Sequence, residues 1–175
     1  MMSRGQIATV LLATSIIAGG CGYALVGRGN VLPPEVRSIQ IPAFVNRTTR
    51  VEIEQRLTQA VSSELVARAG LQIVQNANEA DAILRGEITS VAITPIAFND
   101  QGRATRYQVS INAGIELLDH RNDDAPIWKN DHYSFSESYA VEAGSLDAFD
   151  QETRALQELA EQFAESVVSS ILEGF

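Results

Sequence analysis

Apolar side chains recur at two spacings along this chain, and the switch between spacings marks out its elements. Ile53, Leu57, Ala60, Val61, Leu65 and Ala69 fall on one stripe of an amphipathic helix. Thr49 and Glu52 stand ahead of it at capping-box spacing, a hydroxyl and a carboxylate that can each satisfy an orphan amide. Gly70 occupies the place where helices end in a left-handed residue. A second stripe, Leu156, Leu159, Phe163, Val167 and Ile171, predicts a helix from about Asp150 to Leu172. Between the two helices the spacing drops to two. Tyr107, Val109, Ile111, Ala113, Ile115 and Leu117 alternate with Arg106, Gln108, Ser110, Asn112 and Glu116. Such strict alternation means one dry face and one wet face, as in an antiparallel sheet with a single covered side.

Weaker signals complete the pattern. Val36, Ile39 and Ile41 predict a short strand closed by Pro42, which lacks a ladder donor, so that strand ends at, or lies on, a sheet edge. Leu71 to Val74 is a brief apolar piece. From Ala82 to Ala97 the chain is rich in β-branched residues, with a phase shift near Gly86 that suggests a bulge or bend. Asn99-Asp100-Gln101-Gly102 supplies turn chemistry. After a polar loop from Asp119 to Pro126, Ile127 to Tyr139 returns as a strand with Tyr133, Phe135 and Tyr139 on one side. The order predicts an α+β fold: a two-layer sandwich of a mostly antiparallel four-stranded sheet with two helices packed on one face.

The start of the chain follows another logic. Arg4 precedes an apolar run from Ile7 to Ala18. A bilayer-spanning helix needs about 20 apolar residues, so this run has the proportions of a secretory leader instead. Ala18, Gly19 and Gly20 are small enough for a peptidase cleft, and Cys21, the sole cysteine, follows them directly. The stretch resembles a bacterial lipobox, with Ala18 where Leu is usual. The expected organisation is a signal peptide over 1–20, a lipidated tether over 21–34 and one periplasmic domain over 35–175. A diacylglyceryl thioether plus an N-acyl chain at Cys21 anchors firmly, since each buried methylene adds about 0.8 kcal/mol. Gly22, rather than Asp, follows the lipidated position, which by resemblance to lipoprotein sorting implies the periplasmic side of the outer membrane. A lone cysteine allows no intrachain disulfide, so stability has to come from the core.

Charge narrows the partners. The chain carries 13 basic and 22 acidic side chains, for a net charge of −9. Loss of the leader removes Arg4 and makes the mature chain more acidic still. Nucleic-acid binding needs clustered cations, so that class is excluded, and broad adhesion to anionic headgroups is disfavoured. All the cations but Lys129 are Arg, whose forked donors suit carboxylate or phosphate.

Candidate chemistry is sparse. His120 and His132 do not sit at metal-pair spacing. Asp119, Asp123 and Asp124 lack the alternating pattern and glycine of a calcium loop. Gly27-Arg28-Gly29 runs into Pro33 rather than into a helix, so it makes no dinucleotide site. Asn46-Arg47-Thr48 matches a glycosylation sequon but reads as loop and helix cap. No catalytic residue, metal ligand or cofactor is therefore expected. Arg103 and Arg106 lie beside Pro95-Ile96-Ala97-Phe98, so pairing through the turn would form an apolar hairpin tip with two cations.

Several segments together resemble the lipopolysaccharide-assembly lipoproteins of the LptE family. They are Cys21-Gly22-Tyr23-Ala24-Leu25-Val26-Gly27, Ile39-Gln40-Ile41-Pro42-Ala43-Phe44-Val45-Asn46-Arg47-Thr48, Glu52-Ile53-Glu54-Gln55-Arg56-Leu57-Thr58 and Ile171-Leu172-Glu173-Gly174-Phe175. The resemblance implies a two-helix, four-strand domain and a partner, the LptD outer-membrane β-barrel, whose lumen the lipoprotein plugs during lipopolysaccharide insertion. It also implies lipopolysaccharide as a ligand, through basic residues that no motif here locates. The expected partner-binding residues are Arg103, Arg106, Gln108, Ser110, Asn112 and Glu116. The opening strand and loop also resemble lipoproteins that activate peptidoglycan synthases or form curli-secretion pores. An envelope hydrolase using the acidic loop is the enzymatic alternative.

Replacing Cys21 by Ser is expected to abolish acylation and membrane retention while leaving the domain folded. Palmitate labelling and thermal unfolding of the soluble product check this. A chain from residue 22 that fails to fold contradicts it.

Overall fold

The computed structural model describes residues 32–141 and 148–173. The leader, Cys21 and the tether up to residue 31 lie outside the described residues, as do Gly174 and Phe175.

In chain order the elements are β1 (Ser38–Gln40), β2 (Val45–Asn46), α1 (Ile53–Ala69), β3 (Gln72–Ile73), a short 3-10 turn (Ala77–Glu79), β4 (Ala82–Phe98), β5 (Ala104–Asp119), β6 (Ala125–Ala140) and α2 (Ala148–Glu173). The two helices do pack together on one side of a sheet. The sheet, however, is mixed and six-stranded, not four antiparallel strands. Its order is β3-β1-β4-β5-β6, with β2 also paired to β4. β1 runs parallel to β3 and β4, and β2 runs parallel to β4. Parallel neighbours need a long crossover, and the segment containing α1 supplies it. The antiparallel part is β4–β5–β6, as the alternation predicts.

Two local expectations also change. β1 is not an edge strand: it lies between β3 and β4, with Ile39 fully buried. Pro42 falls beyond its last residue, so the missing donor costs nothing. The Thr49–Glu52 capping box does not form. Glu52 itself precedes α1 in a left-handed conformation (φ 69°) with no side-chain cap. Asn46, held on β2, organises the lead-in instead: its Nδ2 donates to the Arg50 carbonyl (2.7 Å) and to Glu54 Oε2 (2.8 Å). Its Oδ1 accepts from the Thr48 amide and hydroxyl. At the other end Gly70 is left-handed as expected, and its N–H bonds to the Val66 carbonyl.

The core lies between sheet and helices. Ile53, Leu57, Val61 and Leu65 of α1 and Leu156, Leu159, Phe163, Val167 and Ile171 of α2 are buried against Leu84, Ile88, Val109, Ile111, Ile115 and Leu117. Phe163 is its aromatic hub. Its ring meets Phe44 (6.4 Å between centroids), Tyr133 (5.8 Å) and Phe135 (5.5 Å), all edge-to-face. Phe44 reaches the hub because Gly86 has no side chain: a Cβ there would sit 2.6 Å from Phe44 Cγ. The phase shift in β4 falls later than predicted, between Ile88 and Ser90, while Gly86 pairs regularly with Ile115. The glycine therefore marks a close approach, not a bulge.

A polar clip fastens β1 to β4. Asp81 Oδ2 accepts from the amides of Arg37 and Ser38 (both 2.9 Å) and from Ser38 Oγ (3.0 Å). The two amide bonds hold the Asp81 carboxyl below its ordinary value.

Two expectations follow. Gly86→Ala should lower stability by about 1–3 kcal/mol, as overpacking does, because the Phe44 ring must shift; denaturant unfolding reads this, and an unchanged midpoint contradicts it. Asp81 has a depressed folded pKa, so its contribution is full above the ordinary carboxylate value of 3.8 and lost as pH falls through the folded value. Asp81→Asn should therefore lower the Tm at pH 7, with the gap to wild type closing below about pH 4. A gap independent of pH shows that the charge is irrelevant.

Candidate functional site

Both helices cover the same face of the sheet, so the opposite face is left without a layer. β5 shows the division residue by residue. Val109, Ile111, Ala113, Ile115 and Leu117 are buried, whereas Arg106 and Asn112 are exposed and Gln108, Ser110 and Glu116 partly so. The five residues expected from the alternation thus share one uncovered face. Arg103 stands apart from them in the β4–β5 turn, where its N–H bonds to Asn99 Oδ1 at 2.9 Å.

Pairing register extends this face across three strands. Gln108 lies opposite Thr94 and Ser138, Ser110 opposite Ala92 and Ser136, and Asn112 opposite Ser90 and Ser134. Glu116 lies between Arg85 and Lys129. The middle of the face is a carpet of short hydroxyl and amide side chains, with a Gln108 Nε2 to Ser136 Oγ bond of 3.2 Å. Short side chains leave the surface flat and rich in both donors and acceptors. The serines of β6 were missed from sequence, although Ser134, Ser136 and Ser138 alternate with Tyr133, Phe135 and Tyr139 and so carried the same period-two signal.

The two ends of the face differ. At the β4–β5 turn, Pro95 pairs with Tyr107, Ala97 with Arg106 and Phe98 with Ala104, so the expected hairpin tip forms. Ile96 and Phe98 are exposed there, at 48% and 60%. Among the described residues neither Arg103 nor Arg106 has an ion-pair partner. The β5–β6 turn at the opposite end is internally satisfied. Asp124 accepts from Arg85 at 3.0 Å and bonds His120 Nδ1 at 2.8 Å, and Asp119 binds Arg121. The His120 bond, aided by Arg85, lowers the Asp124 carboxyl; the Arg121 bond lowers Asp119. Carboxylates so engaged are poor general bases. No group of three or more His, Cys, Asp or Glu side chains suited to a metal occurs among the described residues.

Near the start of α2, Tyr139 donates to Glu152 at 3.3 Å and Glu152 pairs with Arg50. Burial, reinforced by the neighbouring Glu152 charge, pushes the Tyr139 phenol up to about 12. This cluster ties α2 to β6 and to the lead-in of α1; it is structural.

Comparison with known proteins places this architecture. Its fold resembles lipoprotein B from Nitrosomonas europaea, 16% identical, covering 83% of this chain and 88% of that one at a TM-score of 0.54. It also resembles a Chlamydia trachomatis protein of undefined role, CT253 (12% identical, 80% and 97% covered, TM-score 0.54). A PelC dodecamer subunit from Paraburkholderia phytofirmans shares the fold too (12% identical, 78% and 90% covered, TM-score 0.51). At such identities the likeness concerns the fold alone. No curated protein matches the chain by sequence. The family model for LptE, lipopolysaccharide assembly, matches residues 36–171, from β1 through the last turns of α2. The chain belongs to this LptE family of non-enzymatic, lipopolysaccharide-assembly lipoproteins of the bacterial envelope.

Proposed function

We propose that the chain is anchored through Cys21 on the periplasmic side of the outer membrane and plugs the lumen of an LptD-type β-barrel, assisting its assembly and the insertion of lipopolysaccharide into the outer leaflet. The observation that carries this reading is the uncovered polar face of β4–β5–β6. A barrel lumen is lined by polar groups, so a plug keeps its apolar residues in its own core and offers hydroxyls, amides and isolated charges outward. Gln108, Ser110, Asn112 and the β6 serines do so. Length supports it as well: a strand rises about 3.3 Å per residue, so β4 spans roughly 50 Å, against an apolar barrel band about 25 Å tall. A plug of that length reaches through the barrel with its hairpin tip beyond the far rim. The chain itself performs no chemistry in this role.

A face of many modest hydrogen bonds tolerates single truncations better than a hot-spot interface does. Introducing charge at its centre is a stronger test. Ser110→Glu with Asn112→Glu should sharply reduce recovery of the barrel complex from outer membranes while the isolated domain keeps its Tm. Depletion of the protein should make lipopolysaccharide accumulate behind the outer membrane. Intact lipopolysaccharide export and barrel assembly after depletion would favour the cell-wall-activator alternative.

A further inference from the structure

The end of the domain opposite the hairpin tip holds a groove of roughly 780 Å³, lined by Leu32, Pro33, Pro34, Val36, Leu71 and Leu172, with Arg68, Ala69 and Glu173 beside them. Leu32 and Val36 are each only 6% exposed, so the chain is already seated here where the described residues begin. The groove also gathers two helix ends. α1 stops at Ala69 and α2 at Glu173, and the free carbonyls of a helix C-terminus carry partial negative charge. Arg68 is drawn on by Ser169 (2.7 Å), Glu64 (3.7 Å) and Glu173 (3.9 Å), leaving the Glu173 side chain 53% exposed.

We propose that this groove is the docking site of the chain's own residues 22–31, which fix the distance and orientation of the domain relative to its lipid anchor. The composition of that segment complements the groove. It offers Tyr23, Leu25, Val26 and Val31 as apolar side chains and Arg28 as its sole charge. Leu172, Leu71 and the prolines accept the first group; Glu173 and the helix carbonyl ends accept the second. Arg28 is four residues from Leu32, and four extended residues span roughly 14 Å, so the cation reaches a groove that Leu32 already lines. A docked tether holds the helix-C-terminal end at the membrane and the hairpin tip a full strand length away. The anchor and that last consequence rest on the lipidation of Cys21 proposed above; the docking itself does not.

The test uses the mature-length chain with Cys21→Ser, in which Val26→Cys is then the only site for a nitroxide label. Backbone amides of Ala69, Leu71 and Leu172 should lose their signal intensity, while that of Phe98 should not. Arg28→Glu should restore the lost signals. Equal intensities at the groove and at Phe98 overturn the proposal. So does a loss that appears only when labelled chain is mixed with unlabelled, isotope-enriched chain, because the occupant is then a second copy. Leu172→Glu gives a second check, since it should release the label without lowering the Tm to the extent that a core change does; unchanged signal losses in this variant overturn the proposal. A negative outcome leaves the barrel reading standing, and failure to recover a barrel complex leaves the groove result standing.

Discussion

Phe163 has no accessible surface, and it and the rings packed on it come from three separate parts of the chain. Phe44 arrives on the loop between β1 and β2, Tyr133 and Phe135 from β6, and Phe163 from α2. Each ring removes apolar area from water and gains further from edge-to-face geometry, of order 0.5–1.5 kcal/mol per pair. The cluster therefore closes the helix layer onto the sheet from both directions. Gly86 is the sheet's concession to it, a bare patch of backbone on which Phe44 lies. Since both helices are committed to that one face, the other face has no apolar layer to receive. The polar carpet on β4, β5 and β6 is the direct consequence.

This division of labour explains how the domain holds together without an intrachain disulfide. Stability rests in a contiguous core whose members include most of both helices' inner stripes. Polar bonds then set positions at the margins: Asp81 holds β1 against β4, Asn46 holds the start of α1, and Glu152 links α2 to Arg50 and Tyr139. Gln108, Ser110, Asn112 and the β6 serines take no part in these clips.

Much of this was legible in sequence because period-two and period-3.6 patterns report burial directly. The alternation around Ile111 identified both the dry face and the wet one, and the stripes of α1 and α2 found the helices. What escaped was short or non-local. β2 and β3 each hold only two residues, too few for any period, and their parallel pairing is set by chain crossing rather than by local pattern. The capping box failed because the helix starts only at Ile53, which leaves Glu52 in a left-handed conformation ahead of it instead of inside its first turn. Gly86 carried an ambiguous signal, since a glycine in a strand marks either a bulge or a close approach, and only Phe44 decides between them. The candidate face was half visible: β5 announced itself, whereas its contribution from β6 needed the register.

The central claim is that the uncovered sheet face, not the helix face, meets a barrel. Site-specific photocrosslinking in intact outer membranes tests it most directly, with the crosslinker placed in turn at Gln108 and Ser136 on the sheet and at Gln59 and Glu161 on the helices. The account predicts crosslinks from Gln108 and Ser136 to a large outer-membrane β-barrel. Barrel crosslinks confined to Gln59 and Glu161, or none from any of the four positions, would contradict it.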